Sequence, residues 1–160
     1  MEDIWNITAL VVSVLSVLLS LYALKQATTK NTSDMYLFFI SQYAKEDMKL
    51  ALRKLKDIKR GVYRLEQWES DMKNNLPKAF EYDEARRLVK YFYDTLAYMK
   101  LEKLIEARFV RLICLKKGAW LYLDTVEAME KFFDSGYDKK PYAVIRDVCE
   151  NLRKEGCCPP

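Results

Sequence analysis

The spacing of apolar residues divides the chain into an uninterrupted apolar run near the N-terminus and a longer part with helical periodicity. Residues 4–24 contain no charged side chain. A helix over this run would be about 30 Å long, which matches the hydrocarbon thickness of a bilayer. Glu2 and Asp3 stand where a cleaved signal peptide needs a basic start, so the run predicts a single transmembrane anchor.

The flanking charges predict how this anchor is oriented. Glu2 and Asp3 precede it, whereas Lys25, Lys30 and a basic stretch follow it. Because Lys and Arg are enriched on the cytoplasmic side of membrane helices, we expect the N-terminus outside and the rest of the chain in the cytoplasm, at the cell membrane. Three serines on one helix face are either a contact with another membrane helix or simply tolerated there: Ser13, Ser16 and Ser20.

After the anchor, apolar residues recur every three or four positions, and no stretch competes as a strand, so the predicted fold class is all-α. Residues 1–30 would form the anchor and its joint, with a polar linker at 26–33, and residues 31–160 a cytoplasmic bundle of about four to five helices. Gly61 either breaks the first bundle helix or lets it continue to Met72, and Gly118 marks a helix end after two lysines. The predicted helices cover about 34–60, 77–103, 105–117, 119–135 and 141–152.

Composition limits the chemistry that the chain can perform. Its 160 residues include no His, which removes the commonest metal ligand and the commonest general base. Phosphate-binding loops, nucleophile motifs and Cys-x-x-Cys spacings do not occur, so we expect no cofactor, no metal and no catalytic residue. Several carboxylates alternate with lysines and polar residues, which favours a solvated surface over catalytic pairs: Glu66, Glu69, Asp71, Glu127 and Glu130.

The net charge of +4 is concentrated in one predicted helix. Residues 65–160 are balanced in charge, so the excess lies in residues 31–64. Such a helix below a bilayer could dock on anionic lipid or on an acidic protein, or could form a solvated face. Nucleic acid is an unlikely partner because no binding motif is present. The candidate basic face consists of Lys45, Lys49, Arg53, Lys54, Lys56, Lys59, Arg60 and Arg64.

The cysteines and aromatic residues indicate part of the core and one further candidate surface. Cys114 and Cys149 fall on apolar stripes, so we expect both to be buried. The ending Cys157-Cys158-Pro159-Pro160 fits a prenylation signal poorly and lacks the spacing of a metal site. Its cysteines are either palmitoylated next to the predicted membrane or part of a frayed tail, and we expect the frayed tail. Aromatic residues next to the predicted membrane surface exceed what one core face needs and form a candidate partner contact: Tyr36, Phe38, Phe39 and Tyr43.

The order of the predicted elements can be compared with a known layout. A single span and a polar joint precede a long helix that contains Leu50-Ala51-Leu52-Arg53 and then a helical pair. In that pair, the spacing Ile105-x-x-x-x-Val110 leads to Trp120. This layout resembles a widespread uncharacterised family of small, N-terminally membrane-anchored all-helical proteins with a domain of unknown function. The resemblance implies the topology and no functional residue, because the family has no established activity.

Three functional hypotheses follow from these features. The leading one is an adaptor, scaffold or accessory subunit that binds a protein partner or a second copy of itself. The alternative is a peripheral module that senses anionic lipid through residues 45–64. The third is an enzyme without a recognisable motif.

Overall fold

The structure, a computed structural model, describes the backbone of residues 2–133 and 136–157. Side chains are described over the same ranges, except those of residues 2–14, 25, 27–29, 31 and 32. All regular elements within the described part are helical, which confirms the all-α fold class. The helices are α1 (Glu2–Ala44), α2 (Glu46–Lys59), α3 (Leu65–Lys73), α4 (Pro77–Leu101), α5 (Ala107–Cys114), α6 (Gly118–Leu121), a π-helical turn (Tyr122–Val126), α7 (Glu127–Phe133) and α8 (Lys140–Lys154).

Helix α1 is continuous through residues 26–33, where the sequence predicts a polar linker. That stretch contains no Gly or Pro, and its Thr, Asn and Lys residues weaken a helix only slightly, so nothing ends the helix there. The helix ends instead before Lys45, whose backbone is extended, and α2 begins at the next residue. The single helix predicted over 34–60 is therefore two helices.

The chain divides into two compact units, Met1–Leu37 and Phe38–Pro160. In the first unit, the described side chains of residues 15–24 are all exposed, and most of them are apolar. Among the residues that the structure describes, no helix is both long and apolar enough to cross a membrane. The predicted span of residues 4–24 includes residues 4–14, whose side chains lie outside the described part.

Helices α2 and α4 form the centre of the second unit. The inward face of α2 repeats every three or four residues, as the sequence predicts. Around α4, aromatic rings stack in a column, with 5.1 Å between the centroids of Tyr93 and Tyr122 and 4.4 Å between those of Tyr122 and Tyr142. The buried residues of α2 are Met48, Ala51, Leu55 and Ile58, and its remaining positions are half-buried or exposed.

Helix boundaries in the second unit confirm several sequence predictions. Gly61 has φ +73° and lies between the end of α2 and the start of α3, so the helix does not continue to Met72. Asn75, with φ 55°, follows the end of α3, and Pro77 lies in the first turn of α4. Gly118 differs from its prediction: α5 already ends at Cys114, and Gly118 begins α6 instead of ending a helix.

A buried ion network joins α4 to α7. The Arg86 side chain is 10% exposed, and its Nη2 lies 2.7 Å from Asp83 Oδ1, while its Nη1 pairs with Glu130 Oε1. Glu130 is therefore buried, in contrast to the solvated surface that the sequence predicts for it. The local pattern of charges around Glu130 could not reveal this burial, because its partner lies on another helix. Arg86 pairs with both carboxylates, which makes them structural groups.

The three described cysteines are not joined by disulfides. Cys114 on α5 and Cys149 on α8 are both buried, as predicted, whereas Cys157 is exposed. The Cys114 thiol donates a hydrogen bond to Cys149, which raises the pKa of Cys114 and lowers that of Cys149. The predicted frayed tail falls largely on residues 158–160, which lie outside the described residues.

Candidate anion-binding groove

A groove with a volume of about 990 Å³ opens on the surface of the second unit. Its lining residues come from the last turn of α1, from α2, from the segment around α6 and from α8. Seven of the lining side chains are cationic, and none carries a carboxylate. The groove is lined by Tyr43, Lys49, Leu52, Arg53, Lys56, Lys59, Arg60, Lys117, Gly118, Trp120, Leu121 and Arg153.

The periodicity of α2 explains why its cations lie along one wall. The apolar stripe of this helix packs against the rest of the unit. Lys49, Arg53, Lys56 and Arg60 follow at intervals of three and four residues, so they form a separate stripe on the same helix. Like charges at these spacings destabilise a helix by a few tenths of a kcal/mol per pair. Several such pairs of cations lie next to one another on this stripe of α2, so their repulsion destabilises the helix.

Most of the groove cations have no ion-pair partner among the described residues. Lys59 Nζ lies 2.6 Å from Asp124 Oδ2, and Lys49 Nζ lies 3.4 Å from Glu46 Oε2. Both lysines are about half exposed, so these pairs stabilise the fold little. Within the described part, the following groove cations form no ion pair: Arg53, Lys56, Arg60, Lys117 and Arg153.

The groove includes only part of the basic face that the sequence predicts. Lys49, Arg53, Lys56, Lys59 and Arg60 line it. Three predicted residues do not: Lys45 lies between α1 and α2, Lys54 pairs with Glu81 of α4 at 2.9 Å, and Arg64 precedes α3.

Sequence reasoning missed two of the groove cations. Lys117 and Arg153 lie far along the chain from α2, and only the fold brings them to the groove. Their local sequence carries no signal for binding, because basic residues near helix ends are common. The two residues convert a basic helix stripe into a concave basic site.

The end of the groove at α6 is closely packed around Gly118. The Gly118 N–H donates a 3.2 Å hydrogen bond to the Tyr43 hydroxyl. A Cβ on Gly118 would stand 2.8 Å from Tyr93 Oη, 2.9 Å from Tyr43 Oη and 3.1 Å from Leu52 Cδ2. A larger residue here would push against these side chains, and the small size of glycine lets the Tyr43 hydroxyl reach the backbone.

The polar groups of the groove wall are almost entirely hydrogen-bond donors. Lysine ammonium and arginine guanidinium groups donate only. Trp120 also lines the groove, and its indole Nε1 is buried without an acceptor among the described residues. Burial raises the pKa of Tyr43, so its hydroxyl keeps its proton, while its oxygen accepts from Gly118. This wall matches a ligand rich in acceptors.

The predicted aromatic cluster is divided between different environments. Phe39 is 2% exposed and packs against Phe92, with 5.4 Å between ring centroids, so it belongs to the core and not to a partner contact. Tyr43 also contacts Phe92 and lines the groove. Phe38 is 55% exposed, and Tyr36 belongs to the first unit, where it is half-buried.

The predicted serine face of the first helix is described in part. Ser20 Oγ donates a 2.9 Å hydrogen bond to the Ser16 carbonyl oxygen, four residues earlier in the same helix. A hydroxyl bonded to its own helix is the arrangement by which membrane helices tolerate serine. The side chain of Ser13 lies outside the described part.

Neither a metal site nor a similar known protein indicates what the groove binds. Among the described residues, no group of three or more His, Cys, Asp or Glu side chains is placed to hold a metal ion. Comparisons with protein-family models, with curated proteins and with solved structures found no match. The resemblance to the family of anchored helical proteins therefore stays a prediction.

Proposed function

We propose that the chain is a membrane-anchored adaptor whose helical unit binds an anionic partner in the basic groove. The observation that carries this proposal is the convergence of five unpaired cations on one concave site. Cations that serve only solubility are spread over a surface and interspersed with carboxylates. Concentrating them raises the local potential and favours capture of an anion. In this proposal the chain binds and does not catalyse.

The anchor in this proposal is the predicted span of residues 4–24, with the N-terminus outside and the helical unit in the cytoplasm. Support comes from the uncharged sequence and from the exposed apolar side chains among residues 15–24. A face of this kind favours lipid or another protein as its surroundings. We expect the full chain to stay in the membrane pellet during an alkaline carbonate wash, and its release by the wash would contradict the anchor.

Concavity favours a ligand that enters the groove over a flat lipid surface. A bilayer surface contacts protruding residues, whereas the groove residues lie on walls formed by α2, the α6 segment and α8. Lipid sensing by the basic helix is therefore the second candidate, and it is favoured by the remaining exposed cations, such as Lys45 and Arg64, that lie outside the groove.

Charge reversal in the groove tests the binding role. In the full chain purified in neutral detergent, Arg53→Glu/Lys56→Glu should weaken binding of fluorescent decaglutamate and of a fluorescent polyphosphate by about 100-fold or more, because attraction becomes repulsion. Fluorescence anisotropy measures both affinities. Binding by the unaltered chain should also weaken as salt is raised.

A matched pair of substitutions controls for net charge. Arg64→Glu/Lys103→Glu changes the net charge by the same amount at exposed positions outside the groove. We expect this variant to lose less than about fivefold in affinity, since distant exposed charges are largely screened. Equal losses in the two variants, or no binding of either probe by the unaltered chain, would contradict the proposal. Preferential binding to flat anionic vesicles that survives the groove substitutions would support lipid sensing instead.

A further inference from the structure

We propose that the anion bound in the groove is a compact molecule that carries several phosphate groups. This inference rests on the proposed function and names the chemical class of the partner. The ligand can be a free polyphosphorylated molecule or the phosphorylated headgroup of a lipid, since both present the same groups to the walls.

The density of positive charge favours phosphate over carboxylate. Seven cations line a groove of about 990 Å³, which is the size of a small-molecule site. An extended acidic peptide carries one charge about every 3.3–3.6 Å, so only a few of its charges fit in such a volume. A phosphate monoester carries roughly 1.5–2 charges and three acceptor oxygens, so several esters on one small molecule can match the cations in the groove.

The hydrogen-bonding character of the wall leads to the same ligand class. Its cations are donors, and the Tyr43 oxygen already accepts a hydrogen bond from Gly118. A peptide brings its own backbone N–H groups, which would find few acceptors here and would be costly to bury. Phosphate oxygens bring acceptors only. The guanidinium groups of Arg53, Arg60 and Arg153 can also bind phosphate through two parallel hydrogen bonds.

Isothermal titration calorimetry of the full chain in neutral detergent tests this inference, with inositol hexakisphosphate and decaglutamate as the titrated ligands. We expect the hexakisphosphate to bind at least about tenfold more tightly. Binding should also change the fluorescence of Trp120, since this residue lines the groove, and Trp120→Phe should remove that change. Nanodiscs distinguish a lipid headgroup from a free ligand. Tighter binding to nanodiscs that contain phosphatidylinositol bisphosphate than to phosphatidylserine nanodiscs of equal charge would indicate a headgroup. Tighter binding of free hexakisphosphate than of decaglutamate, without a preference between the nanodiscs, would indicate a free ligand; either result supports the phosphate chemistry.

Neutral variants localise the binding without reversing charge. Lys56→Gln/Arg153→Gln should weaken hexakisphosphate binding by about tenfold or more, and Arg64→Gln/Lys103→Gln by less than about twofold. Decaglutamate binding that equals or exceeds hexakisphosphate binding would overturn the phosphate inference and leave the proposed function standing. Failure of both probes would overturn both proposals. Equal losses in the two variants would show nonspecific attraction and overturn the site.

Discussion

Replacing Arg86 with methionine is expected to lower the free energy of unfolding by about 3–5 kcal/mol. Arg86 is the shared partner of Asp83 and Glu130, and both carboxylates are nearly buried. Methionine fills similar space but removes the cation that pairs closely with Glu130. The other nearby cation, Lys90, has its Nζ 3.9 Å from Glu130 Oε2, so it replaces the lost pair only weakly. The guanidinium also lies 4.7 Å from the Phe133 ring centroid, and this contact is lost too. Chemical denaturation of the full chain in detergent measures the change.

The neighbouring Arg87 provides a matched control for this loss. It pairs with the same Asp83, at 2.8 Å, but its side chain is 62% exposed. Arg87→Met should therefore cost less than about 1 kcal/mol, because an exposed pair is well solvated. The double variant Arg86→Met/Glu130→Met should cost at least about 1 kcal/mol less than the sum of its single variants. Equal costs for Arg86→Met and Arg87→Met would contradict the assignment of a buried network.

Replacing Gly118 with alanine is expected to lower the free energy of unfolding by about 1–3 kcal/mol, the range for overpacked sites. The new Cβ would stand 2.8 Å from the Tyr93 hydroxyl, which belongs to a fully buried side chain with little freedom to move. The clash would also displace the Tyr43 hydroxyl, which lies 2.9 Å from the same point and binds the Gly118 N–H. Denaturant unfolding of the full chain measures this loss as well.

A second substitution separates crowding from other effects of alanine. Tyr93→Phe removes the nearest atom, so it should reduce the cost of Gly118→Ala by about 1 kcal/mol. Gly61→Ala is the control: no atom lies within 4 Å of its new Cβ, and its cost of about 1–2 kcal/mol comes from φ +73°. Tyr93→Phe should leave that cost unchanged. A Gly118→Ala penalty that is the same in both backgrounds would show that crowding is not its cause.

The elements that could be predicted from the sequence are those with strong local signals. The apolar repeat of α2, the break at Gly61 and the start of α4 at Pro77 each depend on a residue type or spacing within a few positions. The continuity of α1 through 26–33 could not be predicted in the same way, because polar residues are compatible with both a helix and a linker. Lys45, which separates α1 from α2, carries no helix-breaking signal of its own.

The candidate site was only partly predictable because its residues are distant in sequence. The concentration of the charge excess in residues 31–64 identified the cations of α2, since these cations lie within one helix. Lys117 and Arg153 complete the groove through tertiary packing, and no local pattern distinguishes them from other helix-end cations. For the same reason, Glu130 was predicted on the surface: its burial depends on Arg86, which lies 44 positions earlier in the chain.

The most direct test of the central claim, that the groove binds an anion, is lysine acylation of the full chain, measured by mass spectrometry. The reaction is run with and without inositol hexakisphosphate or decaglutamate, whichever of the two binds more tightly. Bound ligand should cover the groove, so Lys56 and Lys117 should be acylated several-fold more slowly at saturation. Lys45 and Lys103 lie outside the groove and should be acylated at unchanged rates. Equal protection of groove and control lysines, or protection of the control lysines alone, would contradict binding in the groove.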